Sequence, residues 1–152
     1  MKHNVQKGAQ AVEFALMLPF MALILFAVMD FGMLVYNKAI ITNASREAVR
    51  RGVILSAAAW DAATIKQVAC NYAKDALITV SSGTRNATCT GTADPTVVVT
   101  PATAPAFNTP IKVTVSYEVK GFSLGSLYGL GTGPNSVGSP ITLTASTEML
   151  HE

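Results

Sequence analysis

Few residues of this chain have the types and spacing that chemistry requires. Glu13 and Asp30 are carboxylates that interrupt an apolar run, and an ionised carboxylate inside a bilayer costs roughly 2.5–3.5 kcal/mol. Such a group either lies at the membrane interface or pairs with a cation that offsets the cost. Cys70 and Cys89 are the only cysteines. In an oxidising compartment they predict one disulfide, and two reduced thiols are the alternative.

The sequence lacks the residue patterns of an enzyme. The two histidines, His3 and His151, lie at opposite ends of the chain, so no Ser/His/Asp set contains a central histidine. There is no HExxH or CxxC motif, and the glycines of GLGTGP are not followed by a lysine. We therefore expect no catalytic residues, no metal site, no cofactor and no small-molecule substrate.

The charge distribution argues against a nucleic-acid partner. The formal net charge is +2, and Lys2 and Lys7 lie in the first eight residues. A nucleic-acid-binding domain would instead show a clustered basic face. The positive charge is thus a property of the N-terminus, in front of the apolar run.

The apolar run predicts a membrane-spanning helix. Sixteen residues from Phe14 to Met29 carry no charge, and residues 9–35 would form roughly 40 Å of helix, whereas a bilayer core is about 30 Å thick. The basic N-terminus predicts that this end stays in the cytoplasm. A cleaved signal peptide is disfavoured because no small-x-small site closes the run. A buried core helix is the other alternative, but it would show a polar face.

A longer motif around Glu13 gives the chain a recognisable family signature. Residues 7–14, KGAQAVEF, match the G-x-x-x-x-E-[FY] prepilin-peptidase site of type IV pilin-like proteins. Over residues 7–52 the chain resembles the TadE-like family of tight-adherence (Tad/Flp) pilus proteins. The matching segments are VEFA at 12–15, Pro19, DFG at 30–32, Tyr36 and TNASREAVRRG at 42–52.

The resemblance implies a processing site and an assembly role. It implies cleavage after Gly8 by a membrane prepilin peptidase, so that residues 1–8 form a leader and Ala9 becomes the amino terminus. A glycine at this position lets the extended backbone approach a catalytic site closely. Glu13 and Phe14 would serve recognition and assembly, with Glu13 pairing with the amine of a neighbouring subunit.

Two further residues of the span have expected roles. Pro19 removes one helix hydrogen bond and predicts a kink or a locally melted turn. Asp30 is an intramembrane charge, for which interfacial placement is the slightly favoured interpretation. The domains predicted are the span at residues 9–36, a soluble half of the same helix at 37–56 and an extracytoplasmic domain at 57–152.

The rest of the sequence predicts an α+β domain. Small and apolar residues at Ile40, Ile41, Ala44, Ala48 and Leu55 predict that the first helix continues and ends near Gly52 or residues 57–59. On it we expect Glu47 to pair with Arg51. The basic patch at Arg46 and Arg50 is either a solvated face or a contact for an acidic partner. A second helix is predicted over residues 60–78, with a stripe of Ile65, Val68, Ala69, Tyr72 and Ala76.

Strands are predicted over residues 96–100, 111–119 and 141–149, which gives an antiparallel sheet of about three to four strands. The fold class is therefore α+β, with a long pilin-like N-terminal helix. Residues 121–140 form a Gly/Ser-rich connection that is either a partner-binding loop or an insertion.

The function expected from the resemblance is a structural, pilin-like subunit for assembly of a tight-adherence pilus. Its expected partners are membrane lipid, the prepilin peptidase, other pilin-like subunits, the major pilin and the inner-membrane platform. It would cross the inner membrane once, with the outer domain in the periplasm or in the extracellular pilus. The alternative is an uncleaved single-pass envelope protein that binds another periplasmic partner.

Overall fold

The fold consists of one very long helix, a short helix and a small sheet. The computed structural model describes residues 4–54, 59–79, 83–119 and 140–151, with side chains from Gly8 onward. The elements in chain order are α1 (Asn4–Val53), α2 (Ala62–Ala73), β1 (Thr96–Thr100), β2 (Pro110–Val119) and β3 (Ile141–Leu150). This is the α+β architecture that the sequence predicts.

Helix α1 passes through two environments. From Gly8 to Met21 every residue is exposed, although most of the side chains are large and apolar. The first fully buried residue is Asn37, and beyond it Ile41, Ala44 and Ala48 are buried against the rest of the fold. Only the C-terminal part of α1 therefore contributes to the core of the described domain.

The three strands form one antiparallel sheet in the order β1-β2-β3. Alternate residues of the central strand β2 point to the core, and these are Ile111, Val113, Val115, Tyr117 and Val119. The opposite face is polar, with hydroxyl pairs joining Thr114 to Ser146 at 3.1 Å and Ser116 to Thr144 at 3.2 Å. One face of the sheet thus packs on the helices and the other faces water, as the alternation predicts.

Strand β3 lies along α1 and runs in the same direction. The Lys38 ammonium donates a hydrogen bond to the carbonyl oxygen of Thr144, and the hydroxyls of Ser45 and Thr147 are 2.7 Å apart. Seven helical residues advance about 10 Å, and three strand residues advance about the same distance. The two contacts therefore fix the register of the sheet along the helix.

Helix α2 packs across the end of α1 at Gly52. A Cβ atom built on Gly52 would lie 3.2 Å from Cδ1 of Ile65, so the glycine allows the two helices to approach closely. Asp61 caps α2, accepting hydrogen bonds from the backbone N–H of Ala63 at 3.0 Å and of Thr64 at 3.1 Å. Hydrogen bonds from Thr64 and Ala63 hold the pKa of Asp61 below its ordinary value.

One predicted helix end and one predicted ion pair differ from the structure. Helix α2 ends at Ala73 rather than near residue 78, and a turn follows it. Arg85 stabilises this turn because its guanidinium donates to the carbonyl oxygens of Lys74 and Leu77. The buried residues of α2 are Ile65, Ala69, Cys70 and Ala73. Of the predicted stripe, Ile65 and Ala69 are buried, Tyr72 is exposed, and Ala76 lies beyond the end of the helix.

Glu47 pairs with Arg50 and not with the predicted Arg51. The Glu47 carboxylate and the Arg50 guanidinium form two hydrogen bonds, at 2.7 and 3.0 Å. A spacing of three positions also brings helical side chains together, and the planar guanidinium suits a two-point contact.

Helix α1 ends at Val53, within a residue of the predicted Gly52; Leu55 and residues 57–58 lie outside the described ranges.

The predicted strands are confirmed to within one residue at each end. The predicted Gly/Ser-rich connection lies outside the described residues, except for Pro140. A disulfide joins Cys70 on α2 to Cys89, with their Cα atoms 5.9 Å apart. It ties the segment that precedes β1 to the second helix, as the sequence predicts.

Candidate processing and assembly segment

The predicted cleavage site lies on the accessible N-terminal end of α1. Gly8 and Ala9 are both helical and exposed. A Cβ atom built on Gly8 would meet nothing within 4 Å, so no described part of the fold covers this peptide. The backbone must still leave the helical conformation before a peptidase can bind it in an extended form. A glycine lowers the cost of that change, since it is a weak helix former.

Glu13 and Phe14 lie next to each other on the open surface of the helix. Glu13 lines a shallow groove together with Gln10, Phe14 and Met17, and Phe14 is 68% exposed. Among the described side chains, none forms a hydrogen bond or an ion pair with Glu13. Both side chains are therefore presented to whatever surrounds this part of α1.

The segment that follows is an uninterrupted apolar rod. Large exposed side chains cover it, including Leu16, Phe20, Leu23, Ile24, Leu25 and Val28. In the part of the chain that the structure describes, one helix is long and apolar enough to cross a membrane, and its most apolar window has no buried residue. This arrangement fits a single-pass membrane protein, because a helix within a soluble core would be covered by other elements.

Pro19 lies inside this rod, and α1 continues through it. The residues on both sides remain helical, so the helix has no melted turn at this position. Pro19 lacks an N–H group and therefore leaves the carbonyl of Ala15 without its usual helical donor. That carbonyl is a local weak point in the hydrogen bonding of the span.

Asp30 lies on the side of α1 that faces the outer domain. It is half-buried, whereas the adjacent Met29 and Phe31 are exposed. Eleven residues make three helical turns, so Asp30 is on the same face as Ile41, which is fully buried in the core. The sequence did not predict the face of α1 on which Asp30 lies, and the interfacial placement of Asp30 stays a prediction.

The contacts that hold the outer domain to α1 were not predicted. Asn37 is completely buried; its side-chain N–H donates to the carbonyl of Ile78 at 2.7 Å, and its side-chain oxygen accepts from the N–H of Ile78 at 2.8 Å. The Tyr117 hydroxyl lies 3.5 Å from the same carbonyl. The only local sign of this role is a polar residue at a position of the stripe that is otherwise small and apolar.

The basic patch on α1 remains on the surface. Arg46, Arg50 and Arg51 are all exposed, and the Glu47–Arg50 pair is the only salt bridge among the described residues. The hydrogen bond from Arg50 lowers the pKa of Glu47. An exposed pair of this kind contributes little to stability, and both interpretations of the patch stay predictions.

Within the described ranges no three His, Cys, Asp or Glu side chains come close enough together to hold a metal ion. The features that stand out are instead an accessible glycine, an exposed carboxylate and a long apolar surface. All three lie in the N-terminal part of α1.

The comparisons with known proteins identify this same segment. Residues 8–50 match the family model for TadE-like protein, which confirms the TadE-like resemblance stated for residues 7–52. TadE-like proteins are a structural pilus-assembly family and are not known as enzymes. Residues 8–50 are thus the part of the chain that is similar to these Tad pilus-associated, pilin-like proteins. No curated protein and no solved structure matches the chain.

Proposed function

We propose that this chain is a minor, pilin-like structural subunit that serves assembly of a tight-adherence pilus. The observation that carries the proposal is the division of α1 at Asn37. Its N-terminal part is an exposed apolar rod, and its C-terminal part is the centre of a folded domain. The family match at residues 8–50 covers both parts. A helix of this kind can be stored in a membrane and later packed against the helices of other subunits.

Processing after Gly8 is the first step of the proposed pathway. The prepilin peptidase removes residues 1–8 and leaves Ala9 as the new amino terminus. The exposure of Gly8 and Ala9 supports this step, because no described side chain has to move before the peptidase binds. Residues 9–36 then form the membrane span, 37–56 the soluble half of the helix region, and 57–152 the outer domain.

Glu13 selects the register in which processed subunits pack. An ionised carboxylate in lipid is costly, and a cation beside it offsets much of that cost. Ala9 and Glu13 are separated by about 6 Å along the helix, so a neighbour displaced by a short distance can bring its amine to the carboxylate. Phe14 completes the recognition motif and adds apolar contact area beside the charge.

The proposed location is the inner membrane, with the leader in the cytoplasm and the outer domain in the periplasm. The basic residues before the span support this orientation, and the Cys70–Cys89 disulfide fits an oxidising compartment. The partners are membrane lipid, the prepilin peptidase, other pilin-like subunits, the major pilin and the inner-membrane platform.

Deletion and complementation in the natural host test the proposal. Cells that lack this chain should have no surface pili by electron microscopy and no major pilin in the sheared fraction. The intact chain should restore both, and the Glu13→Gln variant should restore neither. Normal piliation of the deletion strain would contradict the proposed role.

A further inference from the structure

One end of the outer domain lies beside α1 at the C-terminal end of the apolar rod. We name this end the proximal rim and define it by Lys38, Ile78, Ile141, Thr142 and Leu143. Ile141 is 49% exposed and Ile78 is 46% exposed, and they come from different segments of the chain. Two large aliphatic side chains thus remain uncovered at this end of the domain.

The position of the rim along the axis of α1 follows from the contacts between β3 and α1. Thr144 is bound by Lys38, and Ile141 precedes Thr144 by three strand residues, which is about 10 Å. That distance equals about seven helical residues, so Ile141 lies level with Phe31 of α1. A cleft lined by Leu34, Val35, Lys38, Thr142, Leu143 and Thr144 confirms that the start of β3 lies beside residues 34–38.

A second series of contacts gives the same position along the axis of α1. Leu143 is the register partner of Tyr117, whose hydroxyl is 3.5 Å from the carbonyl of Ile78. Ile78 is in turn bonded to Asn37. Leu143 and Ile78 therefore lie level with Asn37, and Ile141 lies below them.

These levels coincide with the boundary of the proposed span. A hydrocarbon core of about 30 Å requires about 20 helical residues; if it begins at Phe14, it ends near Met33. The headgroup region adds about 5–7 Å on each side, which reaches the level of Lys38. The rim therefore extends from the edge of the hydrocarbon core, at Ile141, into the headgroup layer, at Leu143, Ile78 and Lys38.

We propose that the proximal rim is a lipid-binding surface that rests in the headgroup layer of the membrane. The inference depends on the proposed membrane insertion of α1 and holds for either orientation of the helix. Ile141, at the level of Phe31, contacts the upper acyl chains, whereas Ile78 and Leu143, at the level of Asn37, lie among the headgroups. Lys38 places its ammonium at the depth of the lipid phosphates, while its aliphatic stem lies along the cleft.

Glu118 limits how deeply the rim enters. It is exposed on the outer face of the sheet, opposite Thr142 in the register. A carboxylate is tolerated among headgroups but is costly in hydrocarbon. The rim is consequently an interfacial contact that fixes the tilt of the domain relative to the membrane. It does not enter the hydrocarbon core beyond the upper acyl chains.

Tryptophan quenching by brominated lipid tests the proposal with matched probes. The full-length chain is placed in nanodiscs at one copy per disc, in phosphatidylethanolamine and phosphatidylglycerol with or without bromine near the top of the acyl chains. Ile141→Trp and Leu150→Trp place probes at opposite ends of β3, and both parent residues are exposed. The emission of the unsubstituted chain, which has Trp60, is subtracted.

We expect Ile141→Trp to lose at least half of its emission in brominated discs and Leu150→Trp to lose none. Equal emission of Ile141→Trp with and without bromine would overturn the proposal. Quenching by aqueous acrylamide would then indicate a rim that is free in water, and no quenching by acrylamide would indicate a rim that is covered by protein. Ile78→Trp repeats the measurement from a separate segment if Ile141→Trp does not fold. Phe20→Trp is the probe for the span. If brominated lipid quenches Phe20→Trp but not the rim probes, only the proposed role of the rim is wrong. If brominated lipid does not quench Phe20→Trp, the proposed membrane insertion of α1 is wrong.

Discussion

Asn37 and Ile78 are joined by two hydrogen bonds, at 2.7 and 2.8 Å, although they are 41 positions apart in the sequence. The side-chain amide of Asn37 pairs with both backbone groups of Ile78, in the way that one strand pairs with the next. This contact occurs at the first fully buried position of α1. It therefore fixes the outer domain to the helix at the point where the apolar rod ends.

Replacing Asn37 should weaken the outer domain. Asn37→Ala leaves the N–H and C=O groups of Ile78 without their partner, and we expect a loss of about 2 kcal/mol in the free energy of unfolding. Urea unfolding of the detergent-solubilised chain, followed by Trp60 fluorescence, measures the change. Asn43→Ala, at an exposed position of the same helix, is the control and should lie within about 0.5 kcal/mol of the parent. Equal midpoints for the two variants would contradict the assigned role.

Removing the disulfide should also destabilise the outer domain. Cys70→Ala with Cys89→Ala opens a loop with a sequence separation of 19, and chain entropy predicts a loss of about 3 kcal/mol. The same urea titration measures it, and dithiothreitol should lower the stability of the parent but not that of the double variant. Sensitivity of the double variant to dithiothreitol would show that the effect has another origin.

The cap of α2 gives a pH dependence with a definite sign. The pKa of Asp61 is lowered in the folded state from its model-compound value of 3.8, so the folded state favours the ionised carboxylate. Its contribution is present above that value and is lost as the pH falls through the lower folded pKa. Asp61→Asn keeps the capping oxygen but does not titrate. The stability difference between parent and variant should shrink on acidification, and a constant difference would exclude this linkage.

The charge of Glu13 should matter for assembly and not for cleavage. Glu13→Gln preserves the size of the side chain but cannot form an ion pair, so we expect normal removal of the leader and at least a tenfold loss of binding to other pilin-like subunits, about 1.4 kcal/mol. Copurification from membranes provides the measurement. Gln10→Ala, in the same surface groove, is the control and should bind normally. Undiminished binding by Glu13→Gln would contradict the pairing role.

Local patterns were sufficient to predict most of the elements. The charge-free run before Asp30 predicts the exposed part of α1, and the alternation of Ile111, Val113 and Val115 predicts the buried face of β2. Each of these signals depends on residues a few positions apart. The outer-domain contacts do not: Lys38 and Thr144 are 106 positions apart, and nothing in either segment specifies the other.

The end of α2 was missed for a related reason. Residues 74–78 have acceptable helix propensity, so the local pattern extends the helix through them. In the folded chain Arg85 binds the carbonyls of Lys74 and Leu77, and Asn37 binds Ile78. Tertiary hydrogen bonds to these backbone groups therefore outweigh a weak local preference. Glu47 illustrates the same limit at short range, since both Arg50 and Arg51 lie within its reach on the helix.

The identity of the first residue of the cell-derived chain tests the central claim most directly. N-terminal sequencing of the protein from membranes of peptidase-positive and peptidase-negative cells should give Ala9 in the first case and a chain that retains Gly8 in the second. A chain that keeps its leader in both would contradict the account and favour an uncleaved single-pass envelope protein.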